Sequence, residues 1–192
     1  NANTNEILAD TIEDSYKRLI APAIEREIRN ELTEKAEDGA IKVFGKNLEQ
    51  LLMQPPVKNS VALGFDPGYR TGCKVAVVDA TGKVLDTSVV YPTPLKSDIA
   101  GAEKTIKSLI EKHKVDIIAI GNGTASHESE VFIADLLKKI DRKASYMVVS
   151  EAGASVYSAS KLAAEEFPEY DVSLRSAVSI ARRLQDPLAE LV

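Results

Sequence analysis

The spacing of apolar residues changes character once along the chain, at Pro55-Pro56. Before it, Ile12, Tyr16, Leu19, Ala23 and Ile28 recur at helical steps, and Ile41, Phe44, Leu48 and Leu51 resume the pattern after Asp38-Gly39. This predicts two or three amphipathic helices parted around Asp38-Gly39, with a bend at Pro22. The paired prolines end the helical region, because proline lacks the amide a helix needs and restricts the residue before it. A boundary there divides the chain into a helical segment, 1–56, and a second domain, 57–192.

Beyond the boundary the pattern is strand-like, in apolar runs at Val61–Phe65, Lys74–Asp79 and Val84–Tyr91, the last two rich in valine. Thr81-Gly82 suits a tight turn joining the last two as a hairpin. Ser97 is placed to cap a helix carrying Ile99, Ala102, Ile106, Leu109 and Ile110 on one face. A buried strand, Val115–Ile120, follows. Gly121-Asn122-Gly123-Thr124 then turns into a helix through Phe132, Ile133, Leu136 and Leu137, and a fifth strand spans Tyr146–Ser150. A small-residue helix from Ala154 to Glu166, a break at Phe167-Pro168 and a helix from about Ser173 to Leu184 complete the order. Helices between successive strands imply parallel pairing, and the opening hairpin is antiparallel. The expected fold is α/β, a mixed sheet with helices on both faces in the ribonuclease-H-like layout.

Charge narrows the partners. The net charge is −5, with 7 basic and 11 acidic residues in 1–54 against 17 and 18 in the remainder. Phosphate neutralisation dominates nucleic-acid binding, so any such contact must be local. The longest apolar runs fall far short of the roughly 20 residues of a spanning helix, and the polar start has no basic, then apolar, leader. A cytoplasmic location without membrane contact is the expectation. The single cysteine, Cys73, excludes an internal disulfide and reads as a small hydrophobe in a strand. His113, among Glu111, Lys112 and Lys114, reads as solvated.

In such a sheet the site gathers at the carboxyl ends of the central strands. Asp66, Asn122 and Glu151 close three of them, and Arg175, Ser176, Arg182 and Arg183 on the last helix are placed to join. Asp66, ahead of Pro67-Gly68 and Thr71-Gly72, is either a metal ligand or a carboxylate bonded to its own turn amides. Asn122 reads as a turn residue with unusual backbone angles before it reads as a ligand contact. Glu128 and Glu130 read as acids favouring a helix start, whereas Glu151 is the stronger partner for Asp66. Arg70, Lys74, Arg175, Arg182 and Arg183 form the candidate phosphate-contacting set, with Asn122 beside them. Two metals roughly 3.5–4 Å apart need several carboxylates, so no metal or other cofactor is expected; a magnesium ion would fall to Asp66. Asp66-Pro67-Gly68 with Thr71-Gly72 also resembles an actin-like phosphate turn, but no second copy of the domain accompanies it.

Several long motifs carry a family resemblance: Asp14–Ile20, Leu51–Pro56, Arg70–Lys74, Ile120–Ser126, Ser150–Ser160 and Ile180–Leu191. Through them the whole chain resembles an internal fragment of the Tex transcription accessory proteins. The resemblance implies a YqgF-type domain from about residue 60, a RuvC-resolvase-like variant of the ribonuclease H fold. It also implies helix-hairpin-helix elements and an OB-fold RNA-binding domain beyond Val192. Nucleic acid, RNA above all, and the transcription machinery are the implied partners, engaged mainly through those further domains. Resolvase-type relatives place an Asp on the first strand, a Glu on the fourth and acids on the last helix. Asp66 matches the first; Asn122 and Ser176 stand where the others would be. The expected function is nucleic-acid binding on a nuclease-like fold with a degenerate site. The alternative is a metal-dependent, structure-selective nuclease using Asp66 and Glu151, joined by Asp171.

Overall fold

The computed structural model describes residues 2–94 and 97–188. Contacts divide the chain into two compact units, Asn1–Leu52 and Met53–Val192. In the first, α1 (Ala2–Ser15) enters a π-helical turn (Tyr16–Ile20) and continues as α2 (Ala21–Leu52). Pro22 has no amide to donate, and the Ala21 amide bonds the Tyr16 carbonyl five residues back. The feature expected at Pro22 is therefore a π turn just before it. The break expected at Asp38-Gly39 is absent, since α2 runs through it for 32 residues. A mid-helix glycine costs only about 1 kcal/mol relative to alanine, and a helix this long absorbs that.

The second unit is built on a five-stranded sheet of β1 (Ala62–Asp66), β2 (Cys73–Val78), β3 (Val84–Val90), β4 (Ile117–Gly121) and β5 (Ser145–Val149). Its order is β3-β2-β1-β4-β5. β1 and β2, and β2 and β3, pair antiparallel, whereas β1 and β4, and β4 and β5, pair parallel. This mixed sheet has the ribonuclease-H-like arrangement expected from the element order. α3 (Ile99–His113) and α4 (Ser126–Leu137) cover one face; α5 (Ala154–Ser158) and α7 (Val172–Gln185) cover the other.

The two faces differ in bulk because side chains alternate along each strand. Toward α3 and α4 the central strands present Leu63, Phe65, Val75, Val77, Ile118 and Ile120, all fully buried. Toward α7 they present Ala62, Gly64, Ala76 and Ala119. Small residues let α7 lie close against the sheet. A Cβ on Gly64 would stand 2.1 Å from the Ala177 carbonyl oxygen and 2.8 Å from the Ala181 amide nitrogen.

Local chemistry moved several boundaries. Asp98, not Ser97, caps α3, accepting from the Gly101 amide at 2.9 Å. The helix expected over Ala154–Glu166 is two, α5 and α6 (Lys161–Glu166), because Ser160 caps the second through the Ala163 amide. His113 is not solvated: its Nε2 lies 2.9 Å from Asp86 on β3, and its side chain is only 14% exposed. Cys73 is buried, as expected.

Gly64→Ala forces backbone atoms of α7 away from β1, and backbone cannot rotate aside as a side chain does. The expected loss is about 3 kcal/mol or more. Urea unfolding followed by tyrosine fluorescence measures it, since five of the six tyrosines lie beyond residue 52. An unchanged urea midpoint would show that α7 is not held at this distance.

Candidate functional site

β1 delivers Asp66 to the carboxyl edge of the sheet, half-buried beneath α7. Its hydrogen-bond donor is Ser176 on α7, not an amide of its own turn. Burial pushes its pKa from 3.8 up to about 6; the Ser176 bond opposes that rise, the Glu151 charge adds to it, and Lys74 opposes it weakly. Asp66 and Glu151 are thus brought together electrostatically, as the sequence reading expected of two strand ends.

Glu151 follows β5 and lies across the end of β4. A Cβ on Gly123 would stand 1.9 Å from its Oε1, and one on Gly121 2.9 Å from its Oε2. These glycines therefore make room for the carboxylate. Neither they nor Asn122 adopts a positive φ, so the unusual angles expected at Asn122 are absent; the left-handed residue is Ala125, at the start of α4. The Asn122 side-chain oxygen accepts from the Glu151 amide at 3.1 Å, and its own amide bonds the Val149 carbonyl at 3.0 Å. Asn122 ties the β4 and β5 ends together. Sequence reasoning missed the part played by the glycines, although Gly-Asn-Gly at a strand end is the signal for close approach.

The candidate phosphate contacts divide sharply. Arg70 is exposed in the loop between β1 and β2. Lys74, by contrast, is 5% exposed and donates to the Thr71 and Gly72 carbonyls at 2.6 and 3.1 Å, so it is no surface contact. A lone charge inside the run Cys73–Val78 was the sign of this burial. Arg175 donates to the Phe167 carbonyl at 3.1 Å and Arg183 to the Ser150 carbonyl at 2.7 Å. Arg182 bonds the Gly82 carbonyl at 2.9 Å, pairs with Glu166 at 2.7 Å and lies over the Phe167 ring. These three arginines fasten loops to α7. Asp171 is exposed and caps α7 through the Leu174 amide, away from any ligand role. Glu128 lies in the first turn of α4, as expected, and accepts from Tyr69 at 2.7 Å; Glu130, one turn further in, accepts from Tyr146 at 3.3 Å.

Among the described residues no group of three or more His, Cys, Asp or Glu side chains is placed to hold a metal ion. Asp66 and Glu151 supply two carboxylates and Ser176 a hydroxyl, a donor set that does not fit a two-metal centre. No helix among the described residues is long and apolar enough to cross a membrane.

Sheet order and carboxylate placement define the class: an α/β domain of ribonuclease-H-like topology with its polar residues at the carboxyl edge of the central strands. The Tex protein YqgF-like domain matches residues 60–185, and the chain belongs to that family. It is 60% identical over 190 residues to the uncharacterized protein YdcI of Bacillus subtilis, covering 99% of this chain and 26% of that protein. It is 52% identical to the transcriptional accessory protein Tex of Neisseria gonorrhoeae, covering 96% and 24%. The human S1 RNA-binding domain-containing protein 1 is 48% identical, covering 97% and 19%. The chain thus spans about a quarter or less of these relatives' length. A solved RuvC structure from Thermus thermophilus is 15% identical with a TM-score of 0.48, covering 63% of this chain and 90% of that one.

The raised pKa of Asp66 fixes a pH dependence. Between pH 3.8 and about 6 the folded chain holds a proton that the unfolded chain has released, so stability falls as pH rises through that window. Above it the ionised carboxylate costs up to roughly 3 kcal/mol. Asp66→Asn, which keeps an acceptor for Ser176, is expected to raise Tm near pH 8 and to lose that advantage near pH 4. A variant no more stable than the parent near pH 8 would contradict the burial cost.

Proposed function

We propose that residues 57–192 form a nucleic-acid-binding domain of a cytoplasmic, Tex-type transcription accessory protein, on a nuclease-like fold whose site no longer cleaves. The composition of the site carries this reading. Two carboxylates, Asp66 and Glu151, lie together, while Asn122 and Ser176 occupy the positions where further acids would be needed to balance two divalent ions. The reading therefore involves no metal cofactor. The names of the relatives agree with it: one is a transcriptional accessory protein, another is named for an S1 RNA-binding domain. RNA is the preferred partner, and most of the affinity belongs to parts of the full-length protein beyond this chain. The local contact within the chain is Arg70, which is exposed on the loop that leaves β1 after Asp66.

Fluorescence polarisation with labelled single-stranded RNA, duplex DNA and branched DNA at low salt tests the binding. Weak binding is expected, with Arg70→Ala lowering affinity several-fold and the salt slope by about one. Absence of binding to all three probes would overturn the proposal and leave the domain a scaffold. The same branched DNA incubated with magnesium or manganese tests the second half. Asp66 and Glu151 do converge, so cleavage that disappears in Asp66→Asn would establish the metal-dependent nuclease instead.

A further inference from the structure

Among the described residues one charged side chain is buried, Lys74. Burying an ammonium is costly unless its donors and its charge are both answered. Two donors are answered by the Thr71 and Gly72 carbonyls, which belong to the turn that follows Asp66. The antiparallel register sets Lys74 opposite Asp66, the last pair of the β1–β2 ladder. Alternation puts both on the α7 side of the sheet, since Cys73 and Val75 face the other core. Backbone carbonyls beside a carboxylate form an environment suited to a hard cation. Here the two carbonyls hold a cation on a covalent stem, and the Asp66 carboxylate feels its charge from the paired position on β1 without forming an ion pair with it.

We propose that the Lys74 ammonium is the resident cation of the Asp66 site, closing the 67–72 turn through its carbonyls and standing where a divalent ion would otherwise be drawn. A divalent ion approaching Asp66 meets the repulsion of a buried positive charge, which the protein interior screens less than water does. Lys74 is thus a positioning residue: it fixes the turn that carries Arg70 and sets the site's preference against metal. This deepens the non-cleaving half of the function proposed above and rests on that half alone.

Mn2+ titration of the 192-residue chain, with free Mn2+ followed by electron paramagnetic resonance, tests it on four proteins: the parent, Asp66→Asn, Lys74→Ala and the double variant. The parent and Asp66→Asn are expected to bind Mn2+ alike, because no binding depends on Asp66. Lys74→Ala is expected to gain a site at least about tenfold tighter than any in the parent, and adding Asp66→Asn is expected to abolish it. Mn2+ binding by the parent that Asp66→Asn removes would overturn the assignment, whether or not Lys74→Ala folds. So would a folded Lys74→Ala chain that gains no site. A parent that binds no nucleic acid yet shows the expected Mn2+ pattern loses only the binding function; one that binds RNA and also binds Mn2+ through Asp66 loses only the role of Lys74.

Discussion

The approach of α7 to β1 across Gly64 is the contact on which the rest of the second unit depends. With no side chain at that position the helix backbone sits against the strand, and the small residues Ala62, Ala76 and Ala119 continue the shallow floor on either side. This closeness is what brings Ser176 within hydrogen-bonding reach of Asp66. It also draws α7's arginines onto neighbouring loops, Arg182 onto the Gly82 carbonyl and Arg183 onto the Ser150 carbonyl. One missing methyl group therefore sets the geometry of the sheet's polar edge. The opposite face, with Phe65, Ile106, Ile118 and Ile133, supplies the bulk of the apolar burial and needs no such precision.

Most of the strand pattern was legible because short runs of five to seven residues rich in aliphatic side chains leave few alternative readings. Helix termini were less so. Ser97 and Asp98 are both good caps, and the sequence does not say which oxygen meets the Gly101 amide. Asp38-Gly39 looked like a break because glycine is a weak helix former, yet helix cooperativity outweighs one poor residue. Ser158 and Ser160 divide α5 from α6 through side-chain bonds that compete with the helical ladder.

The site was legible in its carboxylates and misleading in its cations. Asp66 and Glu151 could be paired because both end strands that a parallel crossover brings to one edge. Lys74, Arg175, Arg182 and Arg183 looked alike in sequence, as basic residues near that edge, but long side chains are placed by what they can bond. Three arginines found carbonyls or Glu166, and Lys74 turned inward. Strand alternation could have exposed the lysine, because a residue between Cys73 and Val75 on a central strand must point into the other layer. Gly121 and Gly123 were harder, since a glycine kept for close approach and one kept for a positive φ look the same until the neighbour is seen.

Fold and chemistry are separable here because different faces of the sheet carry them. The layer against α3 and α4 is sealed by large aliphatic and aromatic side chains and holds no ionisable group of the site. Changes at the polar edge therefore leave the main source of stability untouched. Asp66 shows the consequence: its burial raises its pKa to about 6 and costs stability at neutral pH, a cost that the apolar layer can offset. The carboxylate is thus kept at a cost, with a serine and an asparagine beside it and Glu151 as its neighbouring acid. Ser176 donates to Asp66, Asn122 holds the Glu151 backbone, and Lys74 spends its donors on the turn, so each of these three fixes the site's shape and none adds a negative charge to it.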